Sequence, residues 1–275
     1  MPLSSKVREI PDFYFQKPMR AIFSGSSQSG KTHLISKIIF EQNRLFGDSF
    51  KQVRYFYPSY LDESPVEFFT RDYTIISYDC GFPTKDDVLS MEENSLLIID
   101  DQADIAVKSD LIAQLFKVIS GKKNISVILV TQNYYIQGKH SRDIRNSCNY
   151  VGLFRNCCDR KLNKRVARDF GLLGACEAAE NDVFTTKIHP YIFIDQTQIA
   201  QLCDYRLYVK ILGNYRVAYN NEGMKGYIVQ EKDFKKNFKI IDRKKFTVTA
   251  ISKNEDSKKK LQPKRKPSKT DREKN

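Results

Sequence analysis

The sequence predicts an α/β fold with a mostly parallel central sheet flanked by helices, and three observations predict it. Residues 20–39 read as a short apolar strand, a glycine-bounded loop and a helix-period segment. Two continuous apolar runs, Ser95–Ile99 and Ser126–Val130, lead into polar residues, as strands buried on both faces do. Between them Leu111, Ile112, Leu115, Phe116 and Ile119 recur at helical spacing, and strands that alternate with helices imply parallel pairing.

In chain order, residues 1–18 form a lead-in that ends at Pro18, residues 19–230 the globular domain, and residues 231–275 a basic extension. The first strand covers Arg20–Phe23, and the helix after the loop carries Leu34, Ile35, Ile38 and Ile39 on one face. Gln52–Tyr57, closed by Pro58, reads as a second strand, and Tyr73–Tyr78 as a third. Asp86–Met91 reads as a short helix. The apolar runs then form the strands at 95–100 and 126–131, with the helix at 111–119 between them. Strands at 150–155 and 191–195 follow, and segments 206–212 and 215–219 read as a hairpin around Gly213-Asn214. From about residue 252 the chain is rich in Lys, Ser and Pro and is expected to be disordered.

The loop reads Gly25-Ser26-Ser27-Gln28-Ser29-Gly30-Lys31-Thr32, a complete G-x-x-x-x-G-K-[ST] pattern. Gly25 and Gly30 allow a tight curl and close backbone approach to an anion. The successive N–H groups face phosphate oxygens, and the helix N-terminus lies behind them. Lys31 supplies a charge for β- and γ-phosphates, and Thr32 a hydroxyl for Mg²⁺. The segment therefore predicts binding of a nucleoside triphosphate, ATP with Mg²⁺ as cofactor.

In open α/β sheets ligands sit at the carboxyl ends of the strands, so the residues that end the apolar runs come next. Asp100 is placed to hold Mg²⁺ alongside Thr32, and Asp101 to orient and deprotonate an attacking water. Gln132 ends the next run and either senses the γ-phosphate or caps the strand. Arg142 and Arg145 follow after one loop and are candidates for a charge-stabilising arginine. Lys161, Lys164, Arg165 and Arg168 form one stripe on a helix, read first as a solvated face and second as a phosphate contact. Were the chain a DNA motor, the loop Gly121-Lys122-Lys123-Asn124 would be a candidate pore contact.

The formal charge is +13 over 275 residues, but residues 231–275 hold 17 Lys/Arg against 7 Asp/Glu. The globular part is thus nearly balanced and the tail is basic, which suits either a polyanion partner or a merely solvating chain. Lys258-Lys-Lys260 and Pro263-Lys-Arg-Lys-Pro267 are of the kind that serve as nuclear localisation signals or nucleic-acid contacts. The six cysteines show no metal spacing and read as reduced thiols of an intracellular protein. No secretory signal or membrane-length apolar run is visible.

A phosphate loop, a strand ending in acid and a further strand ending in Gln describe an additional-strand P-loop ATPase. Ser126-Val-Ile-Leu-Val-Thr-Gln-Asn133, Gly138-Lys139, Arg142, and Tyr150–Asn156 with Asp159 resemble one branch closely: the genome-packaging ATPases of double-stranded DNA viruses and Polinton-like elements, within the FtsK/HerA group. His189–Asp195 and Arg206 resemble that branch's C-terminal strand motif, so that the resemblance covers roughly residues 15–212. The chain differs at Asp101, where many relatives have Glu, and at Asn156-Cys-Cys-Asp159.

The resemblance implies a RecA-like fold, a ring homo-oligomer (pentamer or hexamer), and ATP-driven movement of double-stranded DNA into a capsid. Capsid proteins are then partners, membranes are not, and the location is the host nucleus, a viral assembly site or the virion. It adds weight to Gln132 as the sensor and to Arg142 as an arginine acting in a neighbouring subunit, with Arg145 the alternative. The competing expectation is a nucleotide-regulated DNA-binding or capsid-assembly protein without motor activity. A small-molecule phosphotransferase is disfavoured because no acceptor pocket or lid is legible.

Overall fold

The computed structural model describes residues 15–156, 159, 161–184, 189–197, 205–212, 215–229, 238–242 and 247–250. The P-loop strand β1 (Arg20–Ser24) lies mid-sheet, followed by α1 (Lys31–Phe40) and α2 (Gln42–Phe46). Then come β2 (Gln52–Tyr57), β3 (Ile75–Cys80), α3 (Lys85–Ser90), β4 (Ser95–Ile99), α4 (Ala103–Ala106) and α5 (Asp110–Gln114). A π-helical turn at Leu115–Ile119 joins α5 to α6 (Ser120–Lys123). The remainder is β5 (Ile125–Thr131), α7 (Ser141–Ser147), β6 (Tyr150–Phe154), α8 (Leu162–Asp169), α9 (Leu173–Val183), β7 (Tyr191–Asp195), β8 (Tyr205–Lys210), β9 (Tyr215–Asn220) and β10 (Lys225–Val229).

These strands form one ten-stranded sheet in the order β10-β9-β8-β7-β6-β1-β5-β4-β2-β3. The six strands from β3 to β6 pair in parallel, and β7 to β10 extend the sheet in antiparallel fashion. The strand carrying the phosphate loop and the strand leading to the acid pair are separated by β5, the RecA-like additional-strand arrangement. A separate antiparallel pair, β11 (Phe238–Asp242) and β12 (Thr247–Ala250), lies within the basic extension. The expected disorder from about 252, and the turn at 213–214, lie outside the described residues.

Each central strand sorts its side chains by parity into two cores. Leu96 and Ile98 of β4, and Ile128 and Val130 of β5, pack with Leu34, Ile35, Ile38 and Ile39 of α1. Leu97, Ile99, Val127 and Leu129 pack on the other face with Leu115 and Phe116, Ile144 of α7, and Val166 of α8. Both faces of the sheet are thus covered, which is why β4 and β5 read as unbroken apolar runs.

Three element boundaries differ from the sequence expectation. The third strand starts two residues late because buried Gln42 ties up the approach to it. Its amide donates to the Thr70 hydroxyl (2.9 Å) and the Thr74 hydroxyl (2.8 Å), and its oxygen accepts from the Phe50 N–H (2.9 Å). The helix at 85–90 is fixed by a capping box, in which Thr84 accepts from the Asp87 N–H and Asp87 accepts from the Thr84 N–H. Residues 120–123, read as a loop with Asn124, are a helical end; Asn124 leaves it in the left-handed region at φ 50°.

Asp195, at the end of β7, is fully buried. One carboxylate oxygen accepts from the Thr197 N–H (2.9 Å), and the other has no hydrogen bond among the described residues. Burial outweighs the nearby Arg206 and Arg216 and pushes its pKa up to about 6. The folded chain therefore holds a proton that the unfolded chain has released between about pH 4 and about 6. Stability falls as pH rises through that window and stays lower above it. Asp195→Asn removes this contribution: in urea unfolding across pH 4 to 8, the wild type is expected to lose about 2 kcal/mol relative to the variant.

Candidate nucleotide site

The geometry of the phosphate loop follows from its glycines. Gly30 sits in the left-handed region at φ 97°, where a side chain is strained, and it opens α1. Gly25 has no such torsion but no room: a Cβ there would stand 2.5 Å from the Phe154 Cβ and 2.9 Å from the Ser29 hydroxyl. The loop is anchored to β5 by the Gly25 N–H, which donates to the Thr131 carbonyl (3.2 Å). It is anchored to β6 by the Ser26 hydroxyl, which donates to the Arg155 carbonyl (3.2 Å). Ser27 and Gln28 lie exposed at the tip. Helix α1 has no side-chain N-cap and no acid in its first turn, so its dipole and leading N–H groups face the loop uncompensated.

Lys31 folds back over this loop. Its ammonium donates to the Gly25 carbonyl (2.7 Å) and the Ser26 carbonyl (2.8 Å). Partial burial lowers its pKa, while Asp100 and Asp101 pull it back up. Both acids are therefore electrostatic neighbours of this cation.

Asp100 follows β4 directly, its N–H donating to the Phe56 carbonyl (2.9 Å). Strand parity puts it on the same face as Leu96 and Ile98, the face that α1 covers. Burial raises its pKa; the Tyr55 hydroxyl, donating at 2.5 Å, and Lys31 oppose that rise. Tyr55 itself is pushed far up by burial and by the Asp100 charge, so it stays a donor. Asp101 occupies the left-handed region at φ 50°, a conformation that costs a side chain about 1 kcal/mol. Its two oxygens accept from the Gln132 amide (3.2 Å) and the Tyr60 hydroxyl (3.3 Å). Strain of this kind is kept where a fixed direction matters.

The structure thus brings together Lys31, Asp100, Asp101 and Gln132 with the loop Gly25–Thr32. It does not bring Arg142 or Arg145 into that group. Arg142, at the start of α7, is exposed and has no hydrogen-bond or ion-pair partner among the described residues. Arg145 lies over the rings of Tyr134 (5.9 Å) and Tyr135 (5.4 Å) of its own chain. The basic stripe does lie on a helix, but Lys164 pairs with Glu177 (3.3 Å) and Arg165 with Asp159 (2.6 Å), so half of its charge is balanced in place.

Sequence reading gave no site role to Tyr55 or Tyr60, and named His189 only as the start of the strand motif at 189–195. The last packs against the loop so closely that a Cβ on Gly30 would stand 2.7 Å from its Cβ. All three are distant in sequence from the loop and the acids. The local signals were an aromatic in a strand next to the acid-bearing one and the motif His189–Asp195, and neither points to the loop.

The residues present fit Mg²⁺ bound with a nucleotide. A hydroxyl and a carboxylate are hard oxygen donors, and this ion takes its remaining ligands from water and phosphate rather than from a protein cage. No cluster of three or more His, Cys, Asp or Glu suited to a metal occurs among the described residues. The described helices include none long and apolar enough to cross a membrane.

No protein-family model and no curated protein sequence matches the chain. Among solved structures, the genome packaging NTPase B204 from Sulfolobus turreted icosahedral virus 2, in complex with sulfate, is similar at 14% identity. That alignment covers 66% of this chain and 94% of B204, with a TM-score of 0.47. The same protein with ATP-gammaS aligns at 14% identity over 66% and 96%, TM-score 0.46. The KaiC-like protein PH0186 from Pyrococcus horikoshii OT3 aligns at 11% identity over 82% and 99%, TM-score 0.37.

Tyr55→Phe removes the hydroxyl that supports Asp100 while keeping the buried ring. The expected result is an unchanged far-UV circular dichroism spectrum and about a tenfold higher Mg²⁺ concentration for half-maximal ATP binding, the scale on which a metal ligand's hydrogen-bond partner acts. A Mg²⁺ titration of nucleotide binding reads it directly.

Proposed function

We propose that the chain is an ATP-hydrolysing motor of the FtsK/HerA group that moves double-stranded viral DNA into a capsid, of the kind found in double-stranded DNA viruses and Polinton-like elements. One observation carries the hydrolytic part: Lys31, Asp100, Asp101 and Gln132 meet at the carboxyl ends of three adjacent parallel strands. The DNA-packaging part draws on the sequence resemblance and on the basic extension, which holds +10 of the +13 formal charge.

In this reading the backbone of Gly25–Thr32 cradles the phosphates, and Lys31 turns from the loop carbonyls to the β- and γ-phosphates. Thr32 and Asp100 hold Mg²⁺, which supplies charge neutralisation on the phosphate oxygens when bound. Asp101, fixed by Gln132 and Tyr60, accepts the proton of the attacking water. Gln132 contacts the γ-phosphate or that water, so loss of the phosphate changes its bond to Asp101. Arg142, exposed and without an ion-pair partner among the described residues, reaches the nucleotide of the next subunit in a pentameric or hexameric ring; Arg145 is held by its own tyrosines and is the less available of the two. The basic extension holds DNA, or carries the chain to the host nucleus or assembly site, and capsid proteins complete the machine.

Asp101→Asn is expected to keep ATP affinity within about twofold and lower turnover by at least ~100-fold, with DNA movement lost. Retained biological activity in that variant would instead favour a nucleotide-regulated DNA-binding or assembly protein. Duplex DNA is expected to stimulate the wild-type ATPase; a monomer indifferent to DNA would count against the motor.

Arg142→Ala is expected to cost on the order of 10³-fold in turnover. Mixing Arg142→Ala with Asp101→Asn subunits is expected to restore part of the activity, because some interfaces then pair an intact acid with an intact arginine. No recovery on mixing would place the arginine's role within its own subunit.

A further inference from the structure

The phosphate loop has two sides in the sheet, and only one is used by the acids. Toward β5 and β4 stand Gln132, Asp100 and Asp101. Toward β6 and β7 the loop leans on the end of β6, through Gly25 against Phe154 and Ser26 on the Arg155 carbonyl. Strand β7 runs antiparallel to β6 with Tyr191 beside Phe154, so its leading residues His189-Pro190 arrive at the same end of the sheet as the loop. The His189 Cβ stands 2.7 Å from the position of a Cβ on Gly30. The His33 ring, one residue past Thr32, lies with its centroid 5.7 Å from that of His189 at an interplanar angle of 53°. Both side chains are exposed.

A triphosphate in such a loop has a fixed sense. The lysine takes the β- and γ-phosphates, and the backbone cradles the α- and β-phosphates. The γ-end points to the acids, and the α-phosphate and nucleoside leave on the opposite side. That side is the corner between the first turn of α1 and the start of β7, where the two imidazoles, tilted against each other, stand exposed with no other ring against them among the described residues.

We infer that His33 and His189 form the docking wall for the base of the bound nucleotide, an aromatic subsite separate from the phosphate and metal machinery. It rests on reading Gly25–Thr32 as a triphosphate loop. The ligand class it selects is a nucleoside triphosphate rather than an inorganic polyphosphate: the base stacks on an imidazole face, and the missing Cβ of Gly30 lets His189 approach the loop closely enough to do so. Base–aromatic stacking tolerates any base, so the wall supplies affinity more than choice among bases.

Calorimetric titration of the full chain with ATPγS and with inorganic tripolyphosphate, both with Mg²⁺, tests this. The wild type is expected to bind ATPγS more tightly than tripolyphosphate. His189→Ala and His33→Ala are each expected to weaken ATPγS about tenfold and leave tripolyphosphate unchanged, as loss of one stacking partner would. His189→Phe keeps a stacking face and is expected to retain ATPγS affinity, which separates loss of stacking from a damaged fold. ATPγS affinity unchanged in both alanine variants, or an equal loss for the two ligands, overturns the inference. So does a wild type that binds tripolyphosphate as well as ATPγS, although the phosphate loop would then stand. A wild type that binds neither ligand brings down the triphosphate reading and this one together.

Discussion

The placement of β5 between β1 and β4 is the constraint on which the rest of the site depends. Parallel neighbours lie about 4.8 Å apart, so one intervening strand holds the phosphate loop and the acid pair about 10 Å from each other. That gap is wide enough for a phosphate group and a hydrated cation, and narrow enough for a lysine side chain to answer charges on its far side. The pairings Ser24–Thr131 and Ile99–Leu129 bring the loop, Asp100 and Gln132 to one end of the sheet. Because side chains alternate with a period of two, Asp100 and Gln132 continue the parity of Ile98 and Val130 and fall on the α1 face. A slip of one residue in either strand would turn the acid or the amide to the opposite face and dismantle the arrangement without touching the loop.

Charge inside this gap is held by chemistry that does not itself neutralise it. Asp100 is mostly buried, yet its closest hydrogen-bond partner is a tyrosine rather than a cation. A tyrosine hydroxyl stabilises a carboxylate without cancelling its charge, leaving the acid able to bind a cation that arrives with the nucleotide. Lys31 follows the same logic from the other side. Two of its three protons go to loop carbonyls, neutral acceptors that give them up more readily than a carboxylate would. Had Lys31 closed a direct salt bridge with Asp100, each would have had to break a charged pair before meeting its ligand. The neutral partners keep both groups ordered and available.

Much of this was legible in the sequence, because it is local. Strand, loop and helix around Gly25–Thr32 follow one another within some twenty residues, and the runs ending at Asp100 and Gln132 declare themselves by composition. What was not legible is set by contacts distant in sequence. Tyr55 meets Asp100 across 45 positions and Tyr60 meets Asp101 across 41, and neither pairing leaves a local pattern. Gln42 delays the third strand through contacts 28 and 32 residues away. Helices α7 and α9 also escaped, since short amphipathic segments rich in Ser, Asn and Ala carry weak periodicity and were stabilised by packing on the sheet. The balance of the basic stripe by Asp159 and Glu177 likewise needed the fold to bring the acids alongside.

The two arginines after β5 show how the fold separates residues that the sequence leaves equivalent. Both lie on α7, three positions apart, but a helix turns such neighbours only partly toward the same side. Arg145 lies over two tyrosines that follow β5, and the desolvated ring faces favour its retention there. Arg142 is left facing solvent on a helix that is itself held firmly. Asp143 pairs with Lys117 of the π-helical turn (2.6 Å), and His140, at the helix start, meets Asp110 of α5 (2.7 Å). These surface pairs contribute little to stability singly, but together they tie α7 to the α5–α6 element at both the turn and the cap. An exposed arginine on a mobile loop would lose much of its binding energy to ordering. On a helix pinned at two points the backbone part of that cost is already met by the fold, and only the ordering of the exposed Arg142 side chain remains to be met on binding.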